Sequence, residues 1–458
     1  MLKRLHFLIT AGLLLLLTAC ASMTPVPVSR QTASLEVPAF QWVTHFQSPE
    51  LDRLVLEALN QTPSIDAAVA RVQAARARQV ISGAARYPGV SAGLSGSRSK
   101  RNSRGISFSG NTYTLNADIN WEIDLWRRLT HRHRAAAADA QASAEDLAAV
   151  RLSLAADIAR SWFSVIEAQQ QQQLAEQRVT SFQNTLAIIS QRYKAGIGEA
   201  LDVHLARENL ASGQATLAVR QQRLDAAQRL LETLAGRYPS ASLAPGVQLP
   251  HLRGTPPGHL TSQHLLRRPD LRAAEQRLVA SVERTTDAQH NVLPDFRLTT
   301  SGGTTSQEFR QLLDLDNLIW NIALSLTQPI FQGGKLKAER LLADANQREA
   351  IANYCQLVLT AFREVETALA AEPLLAKQAR YQETAARQAS HAAELALSRY
   401  HAGLTDIITL LDTQRRAFNA QGTLLETRLN QLQNRIDLHL ALGGDFQPQP
   451  LTSTSGNP

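Results

Sequence analysis

Three groups of residues have the types that catalytic or metal sites use, but none has the spacing that such sites need. The Gly-Gly-Lys-Leu run at 333–336 lacks both the residue spacing and the Ser or Thr of a phosphate-binding loop. His131 and His133 lie two residues apart, so on a helix they point to different faces and do not form a zinc pair. Asp314 and Asp316 lack the glycine and the distal glutamate of a calcium loop. We therefore expect no enzyme active site, no metal and no bound cofactor.

The chain has only two cysteines, Cys20 and Cys355. Cys355 lies in an apolar-periodic run at 351–359, where we expect a buried and unreactive thiol. The net charge of +7 falls to about +5 without the N-terminal Lys3 and Arg4, and the other basic residues alternate with acidic ones. This pattern is typical of solvated helix faces, and we expect no nucleic-acid partner.

Cys20 closes a segment with the pattern of a bacterial export signal. A positive Lys3-Arg4 pair precedes an apolar stretch at 5–17, and Leu17-Thr18-Ala19-Cys20 ends it with small residues. The pattern predicts a signal peptide at 1–19. The ending resembles the bacterial lipobox, which implies diacylglycerol on the Cys20 sulfur and an acyl chain such as palmitate on the new N-terminus. Ala21 in place of Asp then implies the outer membrane; the alternative is an ordinary secretory signal with an incidental cysteine.

The rest of the sequence is written twice, with an offset of about 206 residues. We predict a lipidated N-terminal segment at 20–47, a first repeat at 48–236 and a second repeat at 263–446. A Pro- and Gly-rich linker at 237–262 joins the repeats, and a tail at 447–458 has the composition of a disordered segment.

Each repeat contains one helix pattern that is too long for a globular domain. The patterns run from about Arg128 to Lys194 and from about Lys335 to His401, roughly 100 Å each at 1.5 Å per residue. Apolar residues at three- and four-residue steps predict coiled-coil packing of these helices. Pro373 is the single stop signal inside them and predicts a kink or an irregularity.

Strict alternation between Tyr113 and Asp124, repeated at 317–327, predicts two strands with one apolar and one polar face. Shorter partner strands are expected at 90–94 and 296–300. A length of about ten residues and the aromatic residues fit lipid-facing strands of an outer-membrane barrel. The aromatic residues expected to face the membrane are Tyr113, Trp121 and Trp320.

The connections at 97–110 and 302–316 are expected to be loops outside the cell. Arg98, Lys100, Arg101 and Arg104 lie in the first of them. Contact with anionic lipopolysaccharide is one interpretation of these cations, and a solvated loop tip is the one that the sequence favours.

Four strands per chain are too few for a membrane barrel, so the chain is expected to oligomerise. Three copies supply twelve strands and leave room for a conduit, whereas two copies supply eight. The predicted fold is mainly α with a small transmembrane β part. Its duplicated helix-strand-strand-long helix-helix unit would form, as a trimer, a 12-stranded barrel and a periplasmic helical barrel.

With these features, the chain resembles the TolC-type outer-membrane efflux proteins, in particular their NodT-like lipoprotein branch. The similarity covers nearly the whole mature chain and is most specific at residues 265–275, 121–126, 328–334 and the two Tyr-x-Ala-Gly turns. It implies a passive, trimeric exit duct, a periplasmic adaptor and an inner-membrane pump of the proton-driven resistance-nodulation (RND) type. Arg127 departs from the family pattern, which usually has glycine there.

The resemblance also implies a gate at the periplasmic end of the helix pairs. Asp202 matches a gate carboxylate, Tyr400 matches a tyrosine that bonds to it, and Asp412 matches one member of an aspartate ring that favours cations. Thr405 and Thr409 replace a basic gate residue and a companion aspartate of some members. Alternatively, Asp202 is only a helix-capping carboxylate and Tyr400 only a packing residue.

Three functions are compatible with these patterns. The favoured one is the outer-membrane duct of a tripartite pump that exports drugs or other small solutes. The alternatives are a duct for protein or polysaccharide secretion and a periplasmic coiled-coil scaffold that transports nothing.

Overall fold

The computed structural model describes residues 40–103, 106–246, 248–252, 254 and 265–444. The signal peptide, Cys20, the tail and part of the linker lie outside these residues. In chain order the elements are α1 (Gln41–Thr44), α2 (Pro49–Gln61), α3 (Pro63–Ala84), β1 (Gly89–Ser103), β2 (Ile106–Ile123), α4 (Arg128–Lys194), α5 (Ala200–Leu234), α6 (Pro269–His290), β3 (Asp295–Ser306), β4 (Leu318–Thr327), α7 (Lys335–His401) and α8 (Ile407–Ala441).

The duplication is visible in the lengths of the helices. Helices α4 and α7 have 67 residues each, α5 and α8 have 35 each, and α3 and α6 have 22 each. The short helices begin at Pro63 and Pro269, where proline's missing N–H has no intrahelical partner to lose. Both long helices have the bounds that the sequence predicts. Within the described residues, none of the helices contains an apolar stretch of the length that a membrane-spanning helix needs.

The four strands form one antiparallel sheet in the order β1-β2-β3-β4. Its register brings the apolar positions of all strands to the same face, because Val90 pairs with Ile119, Ile119 with Thr300 and Thr300 with Ile322. That face is uncovered along β4, where every residue is exposed. In the described chain, β1 and β4 each pair with one neighbour and present a free edge. The predicted amphipathic strands are confirmed.

The prediction of a loop at 97–110 is wrong, because most of these residues belong to strands. Strand β1 continues to Ser103 and β2 starts at Ile106, and the two remain paired over this whole length. The β3 strand likewise reaches Ser306, inside the predicted second loop. Most of these positions hold polar residues, charged residues or glycine, so the apolar alternation ends although the backbone hydrogen bonds of the ladder continue.

The turn from β2 into α4 is made by Arg127, which has φ 58° and lies in the left-handed region. The Asp124 carboxylate fixes this turn by accepting from the backbone N–H groups of Leu129 and Thr130 at 2.9 and 2.8 Å. The equivalent residue of the second repeat, preceding α7, is Gly334 with φ 86°. The same bend therefore forms with arginine in the first repeat and with glycine in the second.

Helix α6 of the second repeat packs antiparallel to the start of α4 of the first. Charged pairs join them at seven-residue spacing, Asp139 with Arg284 and Asp146 with Arg277, and Arg132 bonds Asp287 at 3.1 Å. The two repeats are therefore interleaved.

The two long helices differ greatly in how much of their surface is buried by the rest of the same chain. Helix α4 packs against α2, α3, α5, α6 and α8 and has 25 buried residues, whereas α7 packs against α6 and α8 and has six. Cys355 lies on the uncovered part of α7 and is exposed, so the prediction of a buried thiol is wrong for the single chain. Ile351 and Leu359, on the same helix, are exposed too.

Helix α7 continues through Pro373 without a break. Side chains of α8 reach this point: Asn434 donates to the Ala368 carbonyl at 3.0 Å and to Glu372 at 2.9 Å, and buried Arg435 pairs with Glu372. These contacts tie α7 to α8 beside the missing proline N–H.

Candidate functional site

The two helix pairs turn at the same end of the molecule, which we call the turn end (residues 189–206 and 396–412). Each first helix ends in a left-handed glycine, Gly196 or Gly403. The next residue donates back into the last helical turn, from Ile197 N to the Arg192 carbonyl at 3.0 Å and from Leu404 N to the Arg399 carbonyl at 2.8 Å. One apolar cluster joins both turns, and its buried members are Ile189, Val203, Ala206, Ala396, Tyr400, Ile407, Leu410 and Leu411.

Tyr400 belongs to this cluster and is only 5% exposed. The Arg192 guanidinium lies 5.0 Å from the centre of its ring and donates to its backbone carbonyl at 2.9 Å. Burial raises the pKa of the Tyr400 hydroxyl; Arg192 opposes this change and the charge of Asp202 reinforces it. Tyr400 therefore connects α4 of the first pair to α7 of the second.

Asp202 lies in the first turn of α5, where a carboxylate interacts favourably with the helix dipole. Its charge acts on Tyr400, but within the described part of the chain the two side chains form no hydrogen bond. The structure thus brings the two predicted gate residues near each other without joining them. The capping interpretation of Asp202 stays open beside the gate interpretation.

Asp412 accepts from two arginines that follow it on α8, from Arg415 and from Arg416 at 2.6 Å each. These two hydrogen bonds lower the pKa of the Asp412 carboxyl. The group carries one negative and two positive charges, so its local sum is positive. A ring of three such groups would attract cations less than three isolated carboxylates.

The residue that sequence reasoning missed here is Asp406. It precedes α8 and accepts from the backbone N–H of Thr409 at 2.7 Å and from the Thr409 hydroxyl at 3.0 Å, which lowers the pKa of Asp406. An Asp directly before an apolar helical run is a usual N-cap signal and identifies it in the sequence. Thr409 completes this cap.

The three predicted membrane-facing aromatic residues lie on the apolar face of the sheet in different surroundings. Trp320 is 71% exposed. Tyr113 packs edge-on against the ring of Phe309 at 5.7 Å, and Trp121 donates to the Arg86 carbonyl at 3.0 Å. Cys20, the predicted lipidation site, lies outside the described residues. Within those residues, no group of three His, Cys, Asp or Glu side chains is placed to hold a metal ion.

Comparisons with known proteins place this architecture. The family model described as outer membrane efflux protein matches residues 54–237 and 260–444. The pyoverdine export outer membrane protein OpmQ of Pseudomonas aeruginosa is 33% identical over 456 residues, which cover 94% of this chain and 95% of OpmQ. The probable outer membrane lipoprotein SilC of Salmonella typhimurium is 28% identical over 464 residues, or 96% and 98% of the two chains. The solved outer-membrane channel OprN aligns with a TM-score of 0.84 and 27% identity over 90% of this chain and 93% of that one.

These matches run through both repeats and confirm the resemblance inferred from the motifs. They also agree with the fold described above, and they locate the protein in the outer membrane, extending into the periplasm. Its role is that of the outer-membrane channel of an efflux system. The chain belongs to the outer membrane efflux protein family.

Proposed function

We propose that three copies of this chain form one passive exit duct for drugs or other small solutes. The observation that carries the proposal is the four-stranded sheet, which has an exposed apolar face and a free edge on each side. Unpaired backbone groups cannot face lipid, so the sheet needs neighbours of the same kind. Three copies close the sheet with twelve strands, β4 of one chain beside β1 of the next.

The uncovered face of α7 supports the same assembly in the periplasm. Helices of this length are stabilised mainly by packing of their apolar positions, which one chain does not provide for α7. A neighbouring copy would cover it, and twelve helices from α4, α5, α7 and α8 would surround the conduit. Residues whose large apolar side chains are exposed on α7 are Leu341, Leu342, Ile351, Leu359, Phe362, Leu374 and Leu395.

Small solutes are the favoured cargo, because OpmQ is named for the export of pyoverdine. We propose that the chain acts with a periplasmic adaptor and an inner-membrane pump of the RND type. The turn end offers a surface for the adaptor, since each of its two turns exposes apolar side chains at equivalent positions. These are Ile197 and Leu201 in the first turn and Leu404 and Ile408 in the second.

Cys20 is proposed to carry the lipid anchor, and the chain needs no other cofactor. Mass spectrometry of the mature N-terminal peptide tests this anchor. An unmodified Cys20 in the membrane-bound protein would contradict it.

Planar-bilayer conductance of the purified protein, after its oligomer mass has been measured, tests the duct. We expect a trimer with a small conductance that rises in D202A/Y400F, because these residues are proposed to hold the turn end closed. A trimer whose conductance stays the same in the double variant would remove the gate assignment alone, whereas a protein without conductance would favour the scaffold.

The ion preference of the same channel tests the role of Asp412. R415Q/R416Q should increase the preference for cations, since Asp412 then loses the two positive charges beside it. D412N serves as the matched variant and should shift the preference toward anions. Unchanged reversal potentials in both variants would place Asp412 outside the conduction path.

Deletion of the gene should sensitise cells to dyes and antibiotics, and deletion of the adaptor gene should give the same phenotype. Loss of one exported protein or polysaccharide with unchanged drug susceptibility would instead support the secretion alternative.

A further inference from the structure

The β1–β2 hairpin extends well beyond the rest of the sheet. The last pair between β2 and β3 is Tyr113 with Ser306, whereas β1 and β2 remain paired up to Ser103 and Ile106. Seven residues of each strand project past β3, roughly 23 Å along the strand at 3.3 Å per residue. This projecting hairpin holds three described cations, Arg98, Lys100 and Arg101.

The cations divide between the two faces of the strand. Side chains alternate along a strand, so Arg98 and Lys100 share the face of Val90 and Leu94, which is the apolar one. Arg101 lies on the opposite, polar face. In the proposed barrel, the apolar face meets lipid and the polar face meets the lumen.

The height of the two lipid-side cations can be estimated from the register. The apolar face of β2 runs from Ile123 to Tyr113, roughly 25 Å high at the tilt usual for barrel strands, which equals the apolar band of outer-membrane proteins. Tyr113 pairs with Gly96. Arg98 and Lys100 then lie roughly 5 Å and roughly 10 Å above Tyr113, within the layer of lipid headgroups.

Both side chains are exposed, and no carboxylate of the described residues lies within ion-pair distance of them. Their cross-strand neighbours, Asn111 and Ser109, are uncharged. Glu308 lines the same cavity of about 760 Å³ as Arg98 without pairing with it. The arginines of the helices differ, since many of them have carboxylate partners, as Arg132 and Arg160 do.

We propose that Arg98 and Lys100 bind the phosphate groups of the glycolipid in the outer leaflet, while its acyl chains lie along Val90 and Leu94. A guanidinium and an ammonium roughly 7 Å apart on one face of a strand suit a headgroup that carries more than one phosphate. The assignment rests on the proposed barrel, which sets the face and the end of the sheet that meet the outer leaflet.

Lipid titrations of the purified full-length protein, followed by native mass spectrometry, test this site. The probes are bis-phosphorylated lipid A, its dephosphorylated form and phosphatidylglycerol. R98Q/K100Q should bind bis-phosphorylated lipid A roughly thirtyfold more weakly than the wild type, because each surface cation contributes about fivefold. R101Q is the matched control for R98Q, because it removes the same charge from the other face of the same hairpin and should bind as the wild type does.

Wild-type affinity in R98Q/K100Q, or equal weakening in R98Q and R101Q, would overturn the site. Equally tight binding of phosphatidylglycerol would overturn the choice of the glycolipid, and retention of the dephosphorylated form would overturn the role of phosphate. Bilayer conductance of the same samples separates this inference from the proposed function. A conducting wild type that shows no preference for lipid A contradicts the lipid site alone, whereas a trimer that does not conduct contradicts the duct.

Discussion

His439, near the end of α8, is fully buried, and the residues around it include Trp42, His45 and Phe46 from the start of the described chain. Its ring stacks on Trp42 at 5.3 Å and lies 5.5 Å from His45, and its Nδ1–H donates to the Gly444 carbonyl at 3.2 Å. Burial lowers the pKa of His439 to about 3, although the bond to Gly444 acts in the opposite direction. The folded protein therefore keeps this imidazole neutral at pH values where the unfolded chain protonates it.

The stability of this region should consequently fall in mild acid. In the unfolded chain this imidazole has the ordinary pKa of 6.5, so below pH 6.5 it binds a proton that the folded protein does not bind. The free energy of unfolding is therefore not reduced by His439 above pH 6.5, and it declines as the pH falls toward 3. Between pH 7 and pH 5 the decline should amount to about 2 kcal/mol. Thermal unfolding midpoints measured across this range test the prediction.

The exposed His391 provides the comparison for this measurement. H439Q should flatten the acid dependence and H391Q should leave it unchanged. Equal slopes in the wild type and H439Q would mean that other groups control the acid response.

Sequence reasoning placed Tyr400, Asp202 and Asp412 at one end of the molecule, because glycine stops locate the turns. It did not foresee that Arg192 would lie over Tyr400 or that Arg415 and Arg416 would pair with Asp412. Such partners depend on rotamers and on packing between helices, which residue spacing does not specify. The gate roles of the three residues remain predictions.

Equivalent positions of the two repeats use different chemistry for the same structural task. Position 232 holds Glu232, which accepts from the backbone N–H groups of Ala241 at 2.7 Å, Ser242 at 2.7 Å and Leu243 at 3.0 Å. Burial alone would raise the pKa of Glu232, but these bonds hold it at about 2. The corresponding residue 207 positions later is His439, which bonds Gly444. Each side chain forms hydrogen bonds with the segment that follows its own helix, α5 for Glu232 and α8 for His439.

The turns into the two long helices, α4 and α7, both contain a residue in the left-handed region. Arg127 and Gly334 both have positive φ, and a residue with a Cβ in this region costs about 1 kcal/mol relative to glycine. R127G should therefore raise the unfolding midpoint, and G334A should lower it by a similar amount. Nothing lies within 4 Å of a Cβ added at Gly334, so backbone strain alone is measured.

Thermal unfolding of both variants beside the wild type provides the measurement. A lower unfolding midpoint for R127G would show that the exposed arginine side chain stabilises the fold by more than its strained backbone destabilises it.

The elements themselves were largely predictable from sequence. Prolines at helix starts, glycines at helix ends and uninterrupted helical periodicity located α3, α4, α6 and α7. Alternation of apolar and polar residues located the parts of the strands nearest to the helices. The paired ends of β1 (97–103) and β2 (106–112) were missed, because their many polar residues form backbone ladder hydrogen bonds without any alternation of apolar residues. The continuity of α7 through Pro373 was also not predictable, since the side chains that support it, Asn434 and Arg435, come from a distant part of the sequence.

The unequal burial of α4 and α7 is the main evidence that a neighbouring copy covers α7. Leu359 on α7 is 63% exposed, and Phe362 lies one turn further on. L359E/F362E should therefore prevent trimer formation without unfolding the helices, because charges would replace apolar groups at the proposed contact. Mass photometry in mild detergent should detect monomers.

Y238E is the control for this variant, since it adds a charge at an exposed aromatic residue of the linker. It should remain trimeric. Trimers of L359E/F362E, or monomers of Y238E, would contradict the assignment of the α7 face.

The two free edges of the sheet make every subunit indispensable to the ring that contains it. A ring with one missing or misfolded member has no substitute for the lost strands, so assembly should be all or none. An allele whose product still pairs but blocks the conduit would then be genetically dominant. With equal expression and random mixing, about seven in eight rings would carry at least one defective copy. A strain that carries both alleles should be nearly as drug-sensitive as one that lacks the gene.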